Sequence, residues 1–273
     1  MDKKKRLIII LGVVVIVAIA LILIAMQDSQ SAALASYDNR LVPQSILSAL
    51  AIPNNVSNNI GMGLVQGSPS KINSSAPLQS GGKPEILYMG AEYCPYCAAE
   101  RWPMVIALMR FGTFSNLHLM TSSASDAFPS TPTFTFYNST YTSQYIKFVS
   151  VEMTINKLVN GTYPTLQNPN NTENNIMKVY DVPTQTCPYG GCIPFIDFAN
   201  RSVQIGASYN PQALTNLDWN QIAENLSNSS NVQTRYIVGT ANLFTAEICI
   251  LTNNTPASVC SEPYVTSIES KVS

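Results

Sequence analysis

A long apolar run near the N-terminus restricts this chain more than any other feature. Residues 7–26 are 20 consecutive residues without a charge. At about 1.5 Å per residue, a helix of that length crosses the roughly 30 Å hydrocarbon core of a bilayer. The basic residues 3–6 (KKKR) come directly before the run. Because basic residues flank membrane helices on the cytoplasmic side, the sequence predicts a single-pass anchor with a cytoplasmic N-terminus and an extracytoplasmic body from Gln27 onward.

A cleaved signal peptide is the alternative interpretation of this run. Ala33, Leu34 and Ala35 form a small-residue site of the kind that signal peptidases cleave. That site lies well beyond the end of the apolar run, and the run is longer than the apolar core of most signal peptides. We therefore expect an uncleaved anchor in the cell membrane.

Cysteines and glycosylation sequons agree with an external location. Six cysteines form three close pairs, at positions 94 and 97, 187 and 192, and 249 and 260. In an oxidising compartment such pairs favour disulfides over free thiols. Asn-x-Ser/Thr sequons begin at Asn55, Asn73, Asn138, Asn160, Asn170, Asn200, Asn225, Asn228 and Asn253. The sequence therefore predicts an extracellular, disulfide-bonded glycoprotein.

Charge and composition exclude several functional classes. The net charge is −1 and charged residues make up only 11% of the chain, so there is no electrostatic footprint for nucleic acid. His118 is the only histidine, which excludes His-rich metal sites. The sequence contains no G-x-G-x-x-G motif and no P-loop. We expect no cofactor and no nucleic-acid partner.

Composition divides the chain into four parts. Residues 1–26 form the basic tip and the anchor, and residues 27–82, rich in Asn, Ser, Gly and Pro, read as a linker or stalk with some local helix. Residues 83–232 carry alternating strand and helix patterns and form the predicted α/β domain, with an insertion near 124–192. Residues 233–273 are a C-terminal extension.

Apolar periodicity predicts the elements of the α/β domain. The predicted strands are 85–89, 117–122, 133–137, 145–151, 193–198 and 202–205, and the predicted helices are 98–111 and 210–226. Segments 133–137 and 145–151 resemble a hairpin around Asn138 and Ser139. Segments 193–198 and 202–205 are expected to form a second hairpin.

The C-x-x-C motif lies between the predicted strand 85–89 and the helix that follows it. At a helix N-terminus the Cys94 sulfur faces unsatisfied backbone N–H groups and the positive end of the helix dipole. Both stabilise the thiolate, which is the nucleophile in disulfide exchange. Pro95 suits the first helical position. Cys97, about one turn on, is expected to be more buried, less acidic and able to resolve a mixed disulfide. The alternative is a permanent structural disulfide across the helix start.

The segment ILYMGAEYCPYC, residues 86–97, resembles the strand and active-site segment of thioredoxin, and IPFIDFANRSVQIGASYNPQAL, residues 193–214, resembles its cis-proline strand, hairpin and last helix. This resemblance covers roughly residues 83–230. It implies a thioredoxin-like fold in which Pro194 is cis beside Cys94. It also implies that the backbone of Ile193 binds an extended substrate.

Two details refine the resemblance. Tyr96 gives the CPYC variant of glutaredoxins and is expected to contact substrate, and Tyr88 replaces the buried acid that thioredoxins carry six residues before the first cysteine. The whole chain is similar to an uncharacterised archaeal family of membrane-anchored thioredoxin-like proteins, domain of unknown function 929. That resemblance implies the architecture of the chain but does not assign it an activity.

The other two cysteine pairs have several interpretations. Cys187 and Cys192 (CPYGGC) come directly before Ile193, and the plain interpretation is a disulfide that closes a Gly-rich loop. A second redox pair that exchanges with Cys94 and Cys97, or a four-cysteine zinc site built from both pairs, are the alternatives. For Cys249 and Cys260 we expect a structural disulfide worth about 2–3 kcal/mol in the chain-entropy account.

The sequence thus predicts a membrane-anchored, extracytoplasmic thiol–disulfide oxidoreductase. Cys94 would attack, Cys97 would resolve, and Pro194 would shape the substrate groove. The expected partners are protein dithiols or disulfides and an unidentified electron partner. The alternatives are a non-catalytic, disulfide-stabilised surface protein that binds a partner, and a zinc-binding protein.

Overall fold

The computed structural model describes residues 3–74, 76–183 and 187–272, and these form helices and strands around a mixed sheet. The helices are α1 (Lys3–Ala35), α2 (Gln44–Leu50), α3 (Asn54–Ile60), α4 (Pro95–Met109), α5 (Asn171–Tyr180), α6 (Trp219–Asn225), α7 (Val232–Leu251), α8 (Ala257–Cys260) and α9 (Pro263–Val272), with a 3-10 turn over Pro211–Leu214. The strands are β1 (Ser70–Lys71), β2 (Gln79–Ser80), β3 (Lys83–Gly90), β4 (Gly112–Ser115), β5 (His118–Thr121), β6 (Pro132–Thr135), β7 (Thr140–Ser143), β8 (Lys147–Glu152), β9 (Phe195–Phe198) and β10 (Ser202–Ile205).

Helix α1 confirms the predicted apolar N-terminal helix. Within the described part of the chain it is the one helix long and apolar enough to cross a membrane, over Ile9–Ala35 with a mean hydropathy of 3.5. Its apolar side chains stand away from the protein body, with Ile16, for example, 68% exposed. Membrane anchors and signal sequences both have such a helix.

Strand β3 lies at the centre of the sheet. It pairs in parallel with β8 and antiparallel with β9, and β9 continues into β10 as an antiparallel hairpin. Residues 86–90 of β3 are buried. Ile86 and Tyr88 belong to one hydrophobic cluster and Leu87 and Met89 to another, so both faces of the strand are covered. The predicted strand 85–89 and the predicted hairpin of 193–198 with 202–205 are confirmed.

The pairing of the middle strands differs from the prediction. β5 pairs with β6 and β4 pairs with β7, each in a separate two-stranded sheet, so the predicted hairpin of 133–137 with 145–151 is wrong. The second of those segments is β8, the parallel neighbour of β3. Apolar alternation identifies a strand but not its partner, because the partner depends on which surfaces are buried together. A core strand therefore lies within the predicted insertion 124–192.

The predicted linker 27–82 also contains packed structure. Its helices α2 and α3 are seven residues each, and their buried side chains are Ile46, Leu50, Val56 and Ser57. Ile46 and Leu50 belong to the main hydrophobic core together with α4 and α7. Helices of two turns are too short to give a clear apolar period, which is why composition suggested a linker there.

The connection from α1 to the body is held by specific hydrogen bonds. The Asp38 carboxylate accepts the Thr121 N–H at 2.7 Å, the Thr121 hydroxyl at 3.0 Å and the Asn156 side-chain N–H at 2.7 Å. The Asn39 N–H donates to the Leu119 carbonyl at 2.9 Å. The end of the apolar helix is thus fixed to β5.

The C-terminal part covers the outer side of α4. Helix α7 packs against α4 and α9, and a disulfide joins Cys249 at its end to Cys260 in α8. The predicted helix 210–226 is divided, because Asp218 begins a new helix with a capping box: its carboxylate accepts the Gln221 N–H at 2.9 Å and the Gln221 side chain accepts the Asp218 N–H at 2.8 Å.

Candidate redox site

The C-x-x-C motif lies where β3 ends and α4 begins. Cys94 is the N-cap of α4, with φ −76° and ψ 120°, and its Sγ accepts the backbone N–H of Cys97 at 3.3 Å. Pro95 occupies the first helical position, where its missing N–H costs no hydrogen bond. The sequence therefore places the first sulfur directly against the unsatisfied N–H groups of the helix start.

The two thiols differ in burial and acidity. Both are free cysteines; Cys94 is 5% exposed and Cys97 is fully buried. A hydrogen bond from the Cys97 thiol lowers the pKa of Cys94, against the effect of burial, and backbone N–H donors and the nearby Arg101 lower it further. Burial raises the pKa of Cys97 well above its ordinary value, and the neighbouring Cys94 sulfur raises it further. One sulfur is thus suited to attack and the other to hold its proton.

The Ile193–Pro194 peptide bond is cis and faces the first cysteine. The Ile193 carbonyl oxygen lies 3.8 Å from Cys94 Sγ, within reach of the thiol as a weak donor. The Pro194 carbonyl accepts the Gly206 N–H at 2.8 Å, which ties this bend to the end of β10. Backbone groups of residue 193 therefore border the reactive sulfur.

Aromatic side chains surround the opening to the dithiol. Tyr93 stacks on Tyr163 with ring centroids 4.1 Å apart, and Tyr96 meets Phe128 edge to face at 5.9 Å. Tyr96 is 42% exposed. Sequence analysis identified Tyr96 but missed Tyr163 and Phe128, since they lie in the predicted insertion and carry no motif. Together these rings form an apolar rim.

A buried ion pair lies behind the motif. Arg101 Nε and Nη2 donate to the two oxygens of Glu152 at 2.8 and 2.6 Å, and Nη2 also donates to the Ala91 carbonyl at 2.9 Å. The Arg101 guanidinium lies 5.7 Å from the centre of the Tyr88 ring. Arg101 is four residues after Cys97 and so shares its helix face, a signal the sequence carried. Nothing in the sequence indicated Glu152.

A carboxyl group that titrates near neutral pH precedes the motif. Glu92 is 4% exposed and accepts the Thr135 hydroxyl at 2.7 Å. Burial raises its pKa to about 7, and the opposing hydrogen bond from Thr135 lowers it only in part. This acid lies two residues before Cys94.

The second cysteine pair forms a disulfide in a loop next to the cis-proline. Cys187 and Cys192 are bonded to each other. The buried Asp181 carboxylate lies against both: Oδ1 is 3.7 Å from Cys187 Sγ, and Oδ2 accepts the Cys192 N–H at 2.5 Å. Burial raises the pKa of Asp181. Tyr189, at the tip of the loop, is 93% exposed.

The four-cysteine zinc site, which was an alternative interpretation of the sequence, would require both cysteine pairs as thiolates. In this structure Cys187 and Cys192 are bonded to each other, and disulfide sulfurs are not thiolate ligands. Over residues 3–74, 76–183 and 187–272, no group of three or more His, Cys, Asp or Glu side chains is arranged to hold a metal ion. The free thiols of Cys94 and Cys97 therefore lie at the start of α4, where thiol chemistry can take place.

Comparison with known proteins identifies one family. A family model described as Domain of unknown function (DUF929) matches residues 69–250, which is two thirds of the chain. The match includes both the C-x-x-C motif and the Cys187–Cys192 loop. A search of curated proteins and a search of solved structures each give no match. The family description assigns no activity, so the function is argued from the site.

Proposed function

The chain belongs to the DUF929 family, and we propose that it is a thiol–disulfide oxidoreductase with Cys94 and Cys97 as its redox pair. The observation that supports this most directly is the difference between the two thiols. The hydrogen bond from the Cys97 thiol, together with the Cys97 N–H at the start of α4, lowers the pKa of Cys94, whereas full burial keeps Cys97 protonated. A pair with one thiolate and one thiol is ready for exchange.

We also propose that the domain is thioredoxin-like. Four strands support this, in the spatial order β8, β3, β9 and β10, with β3 and β8 parallel and the other two pairs antiparallel. The C-x-x-C motif follows the central strand and the cis-proline precedes its antiparallel neighbour. On this account residues 111–146 and 153–192 are additions to the common core.

The proposed reaction begins with the Cys94 thiolate. It attacks one sulfur of a substrate disulfide, forms a mixed disulfide and releases the other substrate sulfur as a thiolate, which takes a proton from solvent. Cys97 then loses its proton and attacks Cys94 Sγ, which forms the Cys94–Cys97 disulfide and releases the second substrate thiolate. The substrate gains two electrons, and an electron partner returns them to the pair. The carbonyl of Ile193 and the ring of Tyr96 border the place where the substrate chain would lie.

We further propose that the protein is a single-pass membrane protein with its body outside the cytoplasm. The apolar helix α1 and the basic residues that begin it support an anchor with a cytoplasmic N-terminus. The two disulfides support an oxidising compartment for the body. The fixed connection through Asp38 would hold the redox site at a constant distance from the bilayer.

The proposal is tested by exchange with glutathione disulfide on the full chain in detergent micelles. We expect the reduced wild type to become oxidised at Cys94 and Cys97. The Cys97→Ser variant should accumulate a mixed disulfide with glutathione at Cys94. The Cys94→Ser variant should accumulate no such mixed disulfide at its remaining Cys97. Peptide mass spectrometry without reduction identifies each species. If the reduced Cys94–Cys97 pair of the wild type does not react with glutathione disulfide, the result would instead support a non-catalytic surface protein.

A further inference from the structure

The surroundings of the Cys187–Cys192 disulfide differ from those of a purely structural one. Asp181 is 4% exposed, yet its Oδ1 lies 3.7 Å from Cys187 Sγ, an atom that has no proton to donate while it is part of a disulfide. Reduction would turn Cys187 into a thiol, and this contact would become a hydrogen bond. The carboxyl group already accepts the Cys192 N–H, and it is also placed to accept a hydrogen bond from the Cys187 thiol in the reduced state.

The second observation is the unequal exposure of the two cysteine residues. Cys187 is 2% exposed, whereas Cys192 is partly exposed. In the disulfide between α7 and α8, by contrast, Cys249 and Cys260 are both buried. An attacking thiolate can thus approach Cys192, and the buried Cys187 would be the leaving group.

The third observation is position. Cys192 is bonded to Ile193, whose carbonyl oxygen is 3.8 Å from Cys94 Sγ. From backbone dimensions, the Cα of Cys192 is then at most about 10 Å from that sulfur. A disulfide between Cys94 and Cys192 needs the two Cα atoms about 4.4–6.8 Å apart, so any greater separation has to be closed by movement of the loop. Gly190 and Gly191, both at positive φ, supply the backbone freedom for that movement.

We infer that Cys187 and Cys192 are a second redox pair that exchanges directly with Cys94 and Cys97 inside the same chain. This inference rests on the proposed function of the first pair and adds the route by which electrons enter or leave it. Tyr189 projects from the tip of the loop and is 93% exposed, so the outer pair lies where a partner protein can contact it.

The exchange balances in atoms and electrons. The Cys94 thiolate attacks Cys192 Sγ, a Cys94–Cys192 bond forms, and Cys187 leaves as a thiolate that takes a proton from solvent and can then donate a hydrogen bond to Asp181. Cys97 then loses its proton to solvent and attacks Cys94 Sγ, which forms the Cys94–Cys97 disulfide and releases the Cys192 thiolate. The proton taken up by Cys187 equals the proton given up by Cys97. The first pair is oxidised by two electrons and the second pair is reduced by two, and every step is reversible.

Trapping of the intermediate tests the inference in the full chain in detergent. The variant Cys97→Ser/Cys187→Ser keeps Cys94 and Cys192, and the matched control Cys97→Ser/Cys192→Ser keeps Cys94 and Cys187. In a glutathione redox buffer we expect a Cys94–Cys192 link in at least tenfold higher yield than a Cys94–Cys187 link, as measured by peptide mass spectrometry. Equal yields, or no Cys94–Cys192 link, would overturn the inference.

A measurement on the wild type avoids dependence on these variants. In dithiothreitol redox buffers the two pairs should reduce with equilibrium constants within about 100-fold of each other, which corresponds to about 60 mV for a two-electron couple. If the equilibrium constant for reduction of Cys187–Cys192 is lower by a further 10,000-fold beyond that range, this disulfide is only structural. The Asp181→Asn variant can accept only a weaker, neutral hydrogen bond from the reduced Cys187 thiol. It should therefore shift the reduction equilibrium of this disulfide at least threefold toward the oxidised form and leave that of Cys249–Cys260 unchanged. An unchanged Cys187–Cys192 equilibrium would overturn the role of Asp181.

Failure of this inference and failure of the proposed function are distinguishable. The variant Cys187→Ala/Cys192→Ala retains the first pair, so glutathione disulfide should still oxidise its Cys94 and Cys97, whatever its rate. If both chains react and no Cys94–Cys192 link forms, only the internal exchange is wrong. If neither chain reacts, the proposed function itself is wrong.

Discussion

Arg101 and Glu152 form a bidentate ion pair with both side chains fully buried, at 2.8 and 2.6 Å. The pair joins α4, one turn beyond Cys97, to the end of β8. It therefore fixes the helix that carries the C-x-x-C motif to the strand beside β3. The charge of Arg101 also helps to lower the pKa of Cys94, and it opposes only in part the burial that raises the pKa of Cys97.

Removal of one member of this pair should be costly. We expect Glu152→Gln to lower the free energy of unfolding by about 3–5 kcal/mol, because it leaves Arg101 charged and buried without its partner. The double variant Arg101→Met/Glu152→Met should be closer to the wild type than the single variant is. Urea unfolding of the full chain in detergent, followed by tryptophan fluorescence, measures both.

The matched control for that experiment is Glu224→Gln, at an exposed position. It should change the free energy of unfolding by no more than about 0.5 kcal/mol. A Glu152→Gln loss as small as the control's would mean that the buried pair does not hold α4 to β8.

The reduced dithiol should be labelled in a fixed order. With limiting iodoacetamide we expect Cys94 to be alkylated well before Cys97, and its rate should reach half its maximum at a pH below the value of about 8.5 of a free cysteine. In Cys97→Ala this midpoint should move to higher pH, since the largest effect that lowers the pKa of Cys94 is the hydrogen bond from Cys97. Peptide mass spectrometry over a pH series provides the rates. Labelling of Cys97 first would contradict the assignment.

Glu100 should make stability depend on pH. It is fully buried, it accepts the N–H and hydroxyl of Ser208 at 2.8 and 2.7 Å, and burial raises its pKa from 4.5 to about 7. The folded state therefore binds this proton more tightly than the unfolded state. Its contribution to stability is complete below about pH 4.5 and is lost as the pH rises through about 7.

The variant Glu100→Gln resembles the protonated acid and cannot ionise. Relative to the wild type it should gain about 3 kcal/mol between pH 4 and pH 8, from a difference of about 2.5 pKa units at 1.36 kcal/mol each. Urea unfolding at each pH gives the difference, in which other titrating groups cancel. The Glu224→Gln variant should show no such slope. A flat difference for Glu100→Gln would show that this carboxyl group ionises normally.

Orientation in the membrane is tested by labelling introduced cysteines in a Cys94→Ser/Cys97→Ser chain. A membrane-impermeant maleimide should label Ser230→Cys in intact cells, because Ser230 is an exposed position of the body. It should label Lys4→Cys only after the membrane is opened, since basic flanks stay in the cytoplasm. The reverse pattern would overturn the proposed topology.

Local patterns in the sequence were sufficient for part of the fold and the site. The charge-free run predicted α1, and the short apolar run 85–89 predicted β3. The turn at residues 199–201 predicted the β9–β10 hairpin. Each of these sequence signals depends only on residues that are close together in the chain. The sequence also placed Cys94 at the start of α4, because helix starts and Pro95 carry a local signal.

Tertiary packing decided the remainder. β8 pairs with β3 rather than with residues 133–137, and α2 packs in the core rather than in a linker. The reason is that strand partners and the positions of short helices depend on the surfaces that they bury. Glu152 meets Arg101 from 51 residues away. Asp181 reaches the second disulfide from outside its loop. Sequence alone determined which elements are apolar and where the sulfurs are. Only the packed structure determined which carboxylates lie beside them, since a side-chain contact between distant segments has no periodicity that a sequence can show.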